Sequence, residues 1–171
     1  MVKLYLYILQ LSLSTNDLSI FQPHEDGPSY HPVVATISLG SHAIFHYYSY
    51  RSDDTLGSAN QSADTGRLVD PTPVLSLLLE PRSVVITTSS LYTSHLHGIQ
   101  ELEEDIIIPA GDGQMPLVGD LNVPIANWHM LTGEKERSII QDGGALRRGT
   151  RYSLTCRDVE RVASGKTFLR R

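Results

Sequence analysis

A single cysteine, Cys156, stands in a chain of 171 residues. That excludes an internal disulfide framework and any zinc cluster built on thiolates. Charged residues are few, at 19%, against 40% hydrophobic, with 13 Gly and 9 Pro. This composition excludes a disordered or collagen-like chain and suits a globular domain with long loops. No run of about 18 apolar residues is present, so no membrane-spanning helix is expected. There is no internal repeat, and the length fits one domain with little room for a second.

What charge there is lies unevenly. Residues 147–171 carry eight Lys/Arg against two acids, or +6, whereas residues 1–146 carry six against 17, or −11. A basic tail on an acidic body can touch nucleic acid or other anions, without showing that it does. The start, Met1-Val2-Lys3 followed by Leu4-Tyr5-Leu6-Tyr7-Ile8-Leu9-Gln10-Leu11, has the faint outline of a signal peptide. Gln10, two tyrosines and the lack of a small-x-small cleavage site argue instead for an ordinary strand or an altered chain start. Secretion is rejected.

Residues 33–39 are β-branched and end at Gly40, so they read as a strand, with residues 43–48 as its hairpin partner across Gly40-Ser41. Residues 52–73 are small, polar and turn-rich and read as a surface loop. Two apolar runs, 74–79 and 83–88, flank Glu80-Pro81-Arg82 and read as a second hairpin. Residues 101–147 mix acids, glycines and prolines with short apolar pieces and read as irregular, insertion-like structure. Glu101, Glu103, Glu104 and Asp105 within them read as a solvated acidic face. Residues 151–159 alternate polar and apolar and read as a last strand. Several short strands at close spacing predict an all-β barrel or sandwich with little helix.

Two constellations bear on chemistry. In an extended chain residues i and i+2 share a face, so His24 and Asp26 can hold one ion together. An imidazole and a carboxylate make two-thirds of the facial triad of non-haem Fe(II) oxygenases. The third ligand has six histidines to come from: His31, His42, His46, His95, His97 and His129. His97 follows the apolar runs, but His95 shares its face by period two, so periodicity leaves both open. In the last strand Arg151, Ser153, Thr155 and Arg157 share one face, opposite Tyr152, Leu154 and Cys156. Facing outward, this is an ordinary solvated strand, which is the default. Facing inward, it buries two guanidiniums that need anionic partners, and a dicarboxylate fits the planar fork of arginine.

The ordered set His24-x-Asp26, Leu96-His97-Gly98-Ile99 and Arg151-Tyr152-Ser153-Leu154-Thr155-x-Arg157 resembles the AlkB family of Fe(II)/2-oxoglutarate dioxygenases. Pro23-His24-Glu25-Asp26-Gly27-Pro28, Thr36-Ile37-Ser38-Leu39-Gly40-Ser41-His42 and Leu77-Leu78-Leu79-Glu80-Pro81-Arg82-Ser83 narrow the resemblance to the AlkB homologue 6 subgroup, over roughly residues 22–160. The resemblance implies a double-stranded β-helix, or jelly roll, incomplete at its N-terminal side. Its core spans 22–163, with insertions at 52–73 and 101–147, a divergent segment at 1–21 and a basic tail at 164–171. It implies that His24, Asp26 and His97 bind Fe(II). Arg151 would grip the distal carboxylate of 2-oxoglutarate, with Ser153 beside it and Arg157 close to both co-substrate and iron. The implied reaction uses O2 and 2-oxoglutarate to hydroxylate an alkyl C–H, so that an N-methyl carbon leaves as an aldehyde. An alkylated nucleic acid is the expected substrate, and cytoplasm and nucleus the expected location.

At the front the sequence differs from the family, whose Asn-x-Tyr strand has Asn16-Asp17-Leu18 as its nearest counterpart here. Two other readings therefore stand beside the first. One is a non-catalytic relic or interaction module of the same fold. The other is a dioxygenase acting on a protein or small molecule, which the acidic body favours because phosphate contacts dominate nucleic-acid affinity.

Overall fold

A computed structural model describes residues 4–11, 23–28, 30–51, 67–111 and 113–158. The expected loop at 52–73 lies largely outside them, as do the basic tail and Asn16-Asp17-Leu18. Among them eleven strands and two α-helices follow in the order β1 (Leu4–Leu11), β2 (Val33–Gly40), β3 (Ala43–Tyr48), β4 (Leu75–Leu79), β5 (Ser83–Thr88), α1 (Ser89–Thr93), β6 (Leu96–Gly98), β7 (Glu104–Ile108), β8 (Leu117–Val118), β9 (Val123–Pro124), α2 (Glu134–Asp142), β10 (Gly144–Arg147) and β11 (Arg151–Asp158), with a 3-10 turn at Trp128–Met130 before α2. The fold is mainly β, with antiparallel sheets of jelly-roll kind.

The strand runs read from sequence are present, but neither expected hairpin forms. β2 lies in a four-stranded sheet of order β1-β11-β2-β5, while β3 lies in a three-stranded sheet of order β4-β3-β6. The chain thus changes sheet at Gly40-Ser41, and changes back at Glu80-Pro81-Arg82 between β4 and β5. Both turns are corners of a sandwich. Gly40 is needed at the first on two grounds: its φ is +83°, and a Cβ there would run into the Thr150 carbonyl oxygen. At the second, Arg82 takes a left-handed φ of +65° and its N–H donates to Ser38 O at 2.7 Å, tying the corner back to β2.

All six residues of β3 are buried, because both of its faces are covered. Phe45 and Tyr47 pack with Leu79, Leu75, Leu77 and Val85 toward the four-stranded sheet, and Tyr47 OH meets Thr87 Oγ1 at 2.6 Å across the layers. On its other face Ile44 joins Leu78, Ile107, Val118, Ile125, Leu131, Ile140 and Leu146. Each such side chain contributes about 1.5–3 kcal/mol on burial. Most of this second cluster comes from residues 101–147, which corrects the irregular reading. They build a sheet of order β10-β7-β8-β9 backed by α2, a structural layer of the core. The short apolar pieces hid this because β8 and β9 are two residues each.

Candidate active site

The site forms where an extended segment, residues 23–28, runs beside β6. His24 N donates to His97 O at 3.0 Å and His97 N to His24 O at 2.9 Å, a mutual antiparallel pair. Their rings stand 4.5 Å apart between centroids. The His97 ring also stacks on Phe45 at 5.4 Å and meets Tyr47 edge-on at 6.5 Å, so β3 fixes its plane. Asp26 brings Oδ2 to 3.9 Å from His97 Nε2. Burial lowers the His97 pKa to about 4, against the opposing pull of Asp26, so the imidazole is neutral as a metal ligand must be.

The polar face of β11 turns inward, not outward. Arg151, Ser153 and Thr155 are buried, and Tyr152 on the opposite face is exposed. Together with His24, Thr36, Phe45, His97, Gly98, Ile99 and Arg157 they line one cavity. Register explains the grouping: Ser153 pairs with Ser38, and Thr155 with Thr36, so β2 presents its own polar alternation to the same side. The two arginines fare differently. Arg157 donates through Nε to Asp26 Oδ1 at 2.7 Å and also through Nη2, and its guanidinium lies 5.4 Å over the Tyr30 ring. Arg151, 4% exposed, donates from Nη2 to Ser38 Oγ at 2.8 Å, but its Nε and Nη1 have no partner among the described residues. Burial, helped by the charge of Arg148, lowers the Arg151 pKa to about 10, so it stays cationic at neutral pH.

The remaining histidines separate from the site. His95 precedes β6 rather than lying in it, so the period-two argument does not apply to it; its Nδ1 donates to Ser90 O at 2.8 Å. His46 is buried and bonded to Ser76 Oγ at 2.9 Å, and His42 is buried and donates to Asp105 Oδ2 at 3.1 Å. His31 and His129 are exposed. Asp105 itself corrects the solvated-face reading. It is 1% exposed, and Arg148 donates to it through Nε at 2.7 Å and Nη2 at 2.6 Å.

Sequence reasoning missed three residues here. Ser38 orients Arg151; its signal is the polar alternation Thr36, Ser38 in an otherwise apolar strand. Tyr92, on α1, donates from its hydroxyl to Gly27 O at 2.7 Å and lies 3.3 Å from Tyr30 O. Tyr50, beyond β3, donates to Glu25 Oε1 at 2.8 Å. Nothing local in the sequence marks either tyrosine, since both act across the fold.

The donor chemistry fits a ferrous ion: two imidazoles and a carboxylate from adjoining chain segments. As the side chains stand, no group of three or more His, Cys, Asp or Glu among the described residues is arranged to hold a metal, and Asp26 is engaged by Arg157. For a dicarboxylate the fit is direct, because Arg151 leaves two buried donors unpaired on the wall of the same cavity. No protein-family model matches the chain. A curated relative from Danio rerio, named "Probable RNA/DNA demethylase ALKBH6", is 32% identical over 147 residues, covering 86% of this chain and 51% of the relative. The chain thus spans about half the length of that protein.

Proposed function

The chain belongs to the AlkB family, and from that premise we propose that it is an Fe(II)- and 2-oxoglutarate-dependent dioxygenase that dealkylates its substrate oxidatively. One observation carries the proposal: Arg151, buried on the cavity wall beside His24 and His97, with two donor nitrogens unpaired among the described residues. A buried polar group without a partner costs about 1–3 kcal/mol. That cost at the wall of a cavity is best understood as the counterpart of an anion that enters it.

In this reading His24, Asp26 and His97 hold the ferrous ion. The bound ion and 2-oxoglutarate supply the oxidising chemistry that hydroxylates an alkyl C–H with O2. Arg151 receives the distal carboxylate in its fork, while Ser38 fixes the guanidinium from behind. Ser153 and Thr155 flank Arg151 on the same wall. Arg157 bridges from that wall to Asp26, restraining the carboxylate beside His97. Phe45 stacks against the His97 ring and fixes its orientation.

Thermal unfolding without oxygen tests this, comparing the chain alone, with Mn(II), and with Mn(II) plus 2-oxoglutarate. A ligand at a hundredfold its Kd adds about 2.7 kcal/mol, and each kcal/mol moves Tm by roughly 2–4 °C at this size. A rise of several degrees that needs both additions is expected. A transition indifferent to both would sink the reading. That indifference would favour a non-catalytic module of the same fold. The proposed substrate is an alkylated nucleic acid, in keeping with the relative's name. Formaldehyde released from N-methylated oligonucleotides checks it; release only from methylated peptides or small molecules would move the substrate class.

A further inference from the structure

The segment that carries His24 and Asp26 is anchored at several points. At its start the backbone pair with His97 holds it, and at Asp26 the Arg157 guanidinium does. Directly after Asp26 the chain bends at Gly27, with φ +84° and nothing within 4 Å of the position a Cβ would take. The glycine is therefore required by conformation, not by space. Tyr92 holds the chain there. It sits on α1, which continues directly from β5 and so rides on the four-stranded sheet. Its one hydroxyl donates to Gly27 O at 2.7 Å and lies 3.3 Å from Tyr30 O. Gly27 directly follows Asp26, so the bond from Tyr92 to its carbonyl holds the chain on the far side of Asp26 and limits how far that residue can swing. The other tyrosine tether, Tyr50 to Glu25, is at the surface and holds a side chain instead of the backbone.

We propose that Tyr92 is a positioning residue for Asp26, acting through the Gly27 carbonyl; the inference rests on the ferrous-site reading above. Tyr92→Phe removes the hydroxyl and keeps the ring. With Co(II) as the probe, titrated into the full chain without oxygen, this variant is expected to raise the Co(II) Kd roughly 3- to 10-fold, as the loss of one hydrogen bond implies, and to alter the visible Co(II) bands. In an Asp26→Asn background, where the carboxylate is already gone, Tyr92→Phe is expected to change the Kd less than about twofold. An unchanged Kd and spectrum in Tyr92→Phe would overturn the proposal. So would an equal loss in the Asp26→Asn background, which would mark general loosening of the loop. The wild-type titration reads the parent reading separately. No Co(II) uptake by wild type brings down both; uptake with Tyr92→Phe unaffected brings down only the role of Tyr92.

Discussion

Two arginines three residues apart, Arg148 and Arg151, enter the interior at the start of β11 and meet opposite surroundings. Arg148 is closed in: two bonds to Asp105, a third to Gln100 O, and Asp105 in turn receives His42. Burial pushes the Asp105 carboxyl up, but hydrogen bonds from His42 and Arg148 and the charge of Arg148 outweigh it, so its pKa is lowered. That network clamps three places together: β7, the Gly40-Ser41-His42 corner and the turn before β11. Arg151 is open, with one hydroxyl against five donors' worth of demand. A closed buried ion network spends its chemistry on structure. An open one beside a cavity is left for a ligand, and the same side chain serves both ends according to what its neighbours leave undone.

The comparison breaks most visibly at the clamp. Asp105→Ala strands Arg148 without its partner and is expected to cost about 3–5 kcal/mol, a fall in Tm of roughly 6–20 °C. Calorimetry that found less than a degree or two would show the network to be decorative. Next comes Arg151→Met. It should leave the ligand-free melting point unchanged or raised, since the unpaired donors disappear. At the same time it should weaken 2-oxoglutarate binding by about a hundredfold or more, or about 2.7 kcal/mol, measured by calorimetric titration with Mn(II) present. A ligand-free Tm that drops as in Asp105→Ala would erase the distinction between the two arginines.

A third prediction concerns His46, which lies close enough to feel both members of the clamp. Burial lowers its pKa to about 4, with Asp105 pulling up and Arg148 pushing down; Ser76 is its bonding partner. A folded pKa below the unfolded 6.5 means that the unfolded chain binds the proton first. The contribution of His46 is therefore whole above pH 6.5 and fades as pH falls toward 4. On the order of 2 kcal/mol is expected over that window. A His46→Gln variant should show a shallower acid fall in Tm than wild type; an identical slope would contradict it. Smallest is a control outside both centres. Glu80, at the second corner, accepts the N–H groups of Thr132 and Gly133 at the start of α2. Glu80→Gln should cost about 1 kcal/mol and leave ligand binding alone, and a change in 2-oxoglutarate affinity would count against its separation from the site.

Strand positions were legible because β-branched and alternating runs mark them locally, as in 33–40 and 151–158. Strand partners were not. A tight glycine turn between two strands describes a hairpin and a sandwich corner equally well, and only packing of Phe45, Tyr47 and Val85 between layers decides. Asp105 was misread because an acid in a run of acids looks solvated; its burial depends on Arg148, 43 residues away. In the site, periodicity could not separate His95 from His97, and the resemblance to a family did so. The inward turn of β11 was one of two readings of its alternation. Its physical cause, the matched polar face of β2, follows from a register that joins residues more than a hundred positions apart.

That register also sets a timetable. β11 is an inner strand of its sheet, flanked by β1 and β2, yet it is the last described strand to be synthesised. β1 and β2 leave the ribosome early and must wait, unpaired with each other, until more than a hundred residues later the strand that separates them arrives. Loops of that span close slowly, so assembly of this sheet should dominate the refolding rate. Arg151 and Arg157 travel on that same strand, and the cavity they line therefore comes into being only as the sheet locks.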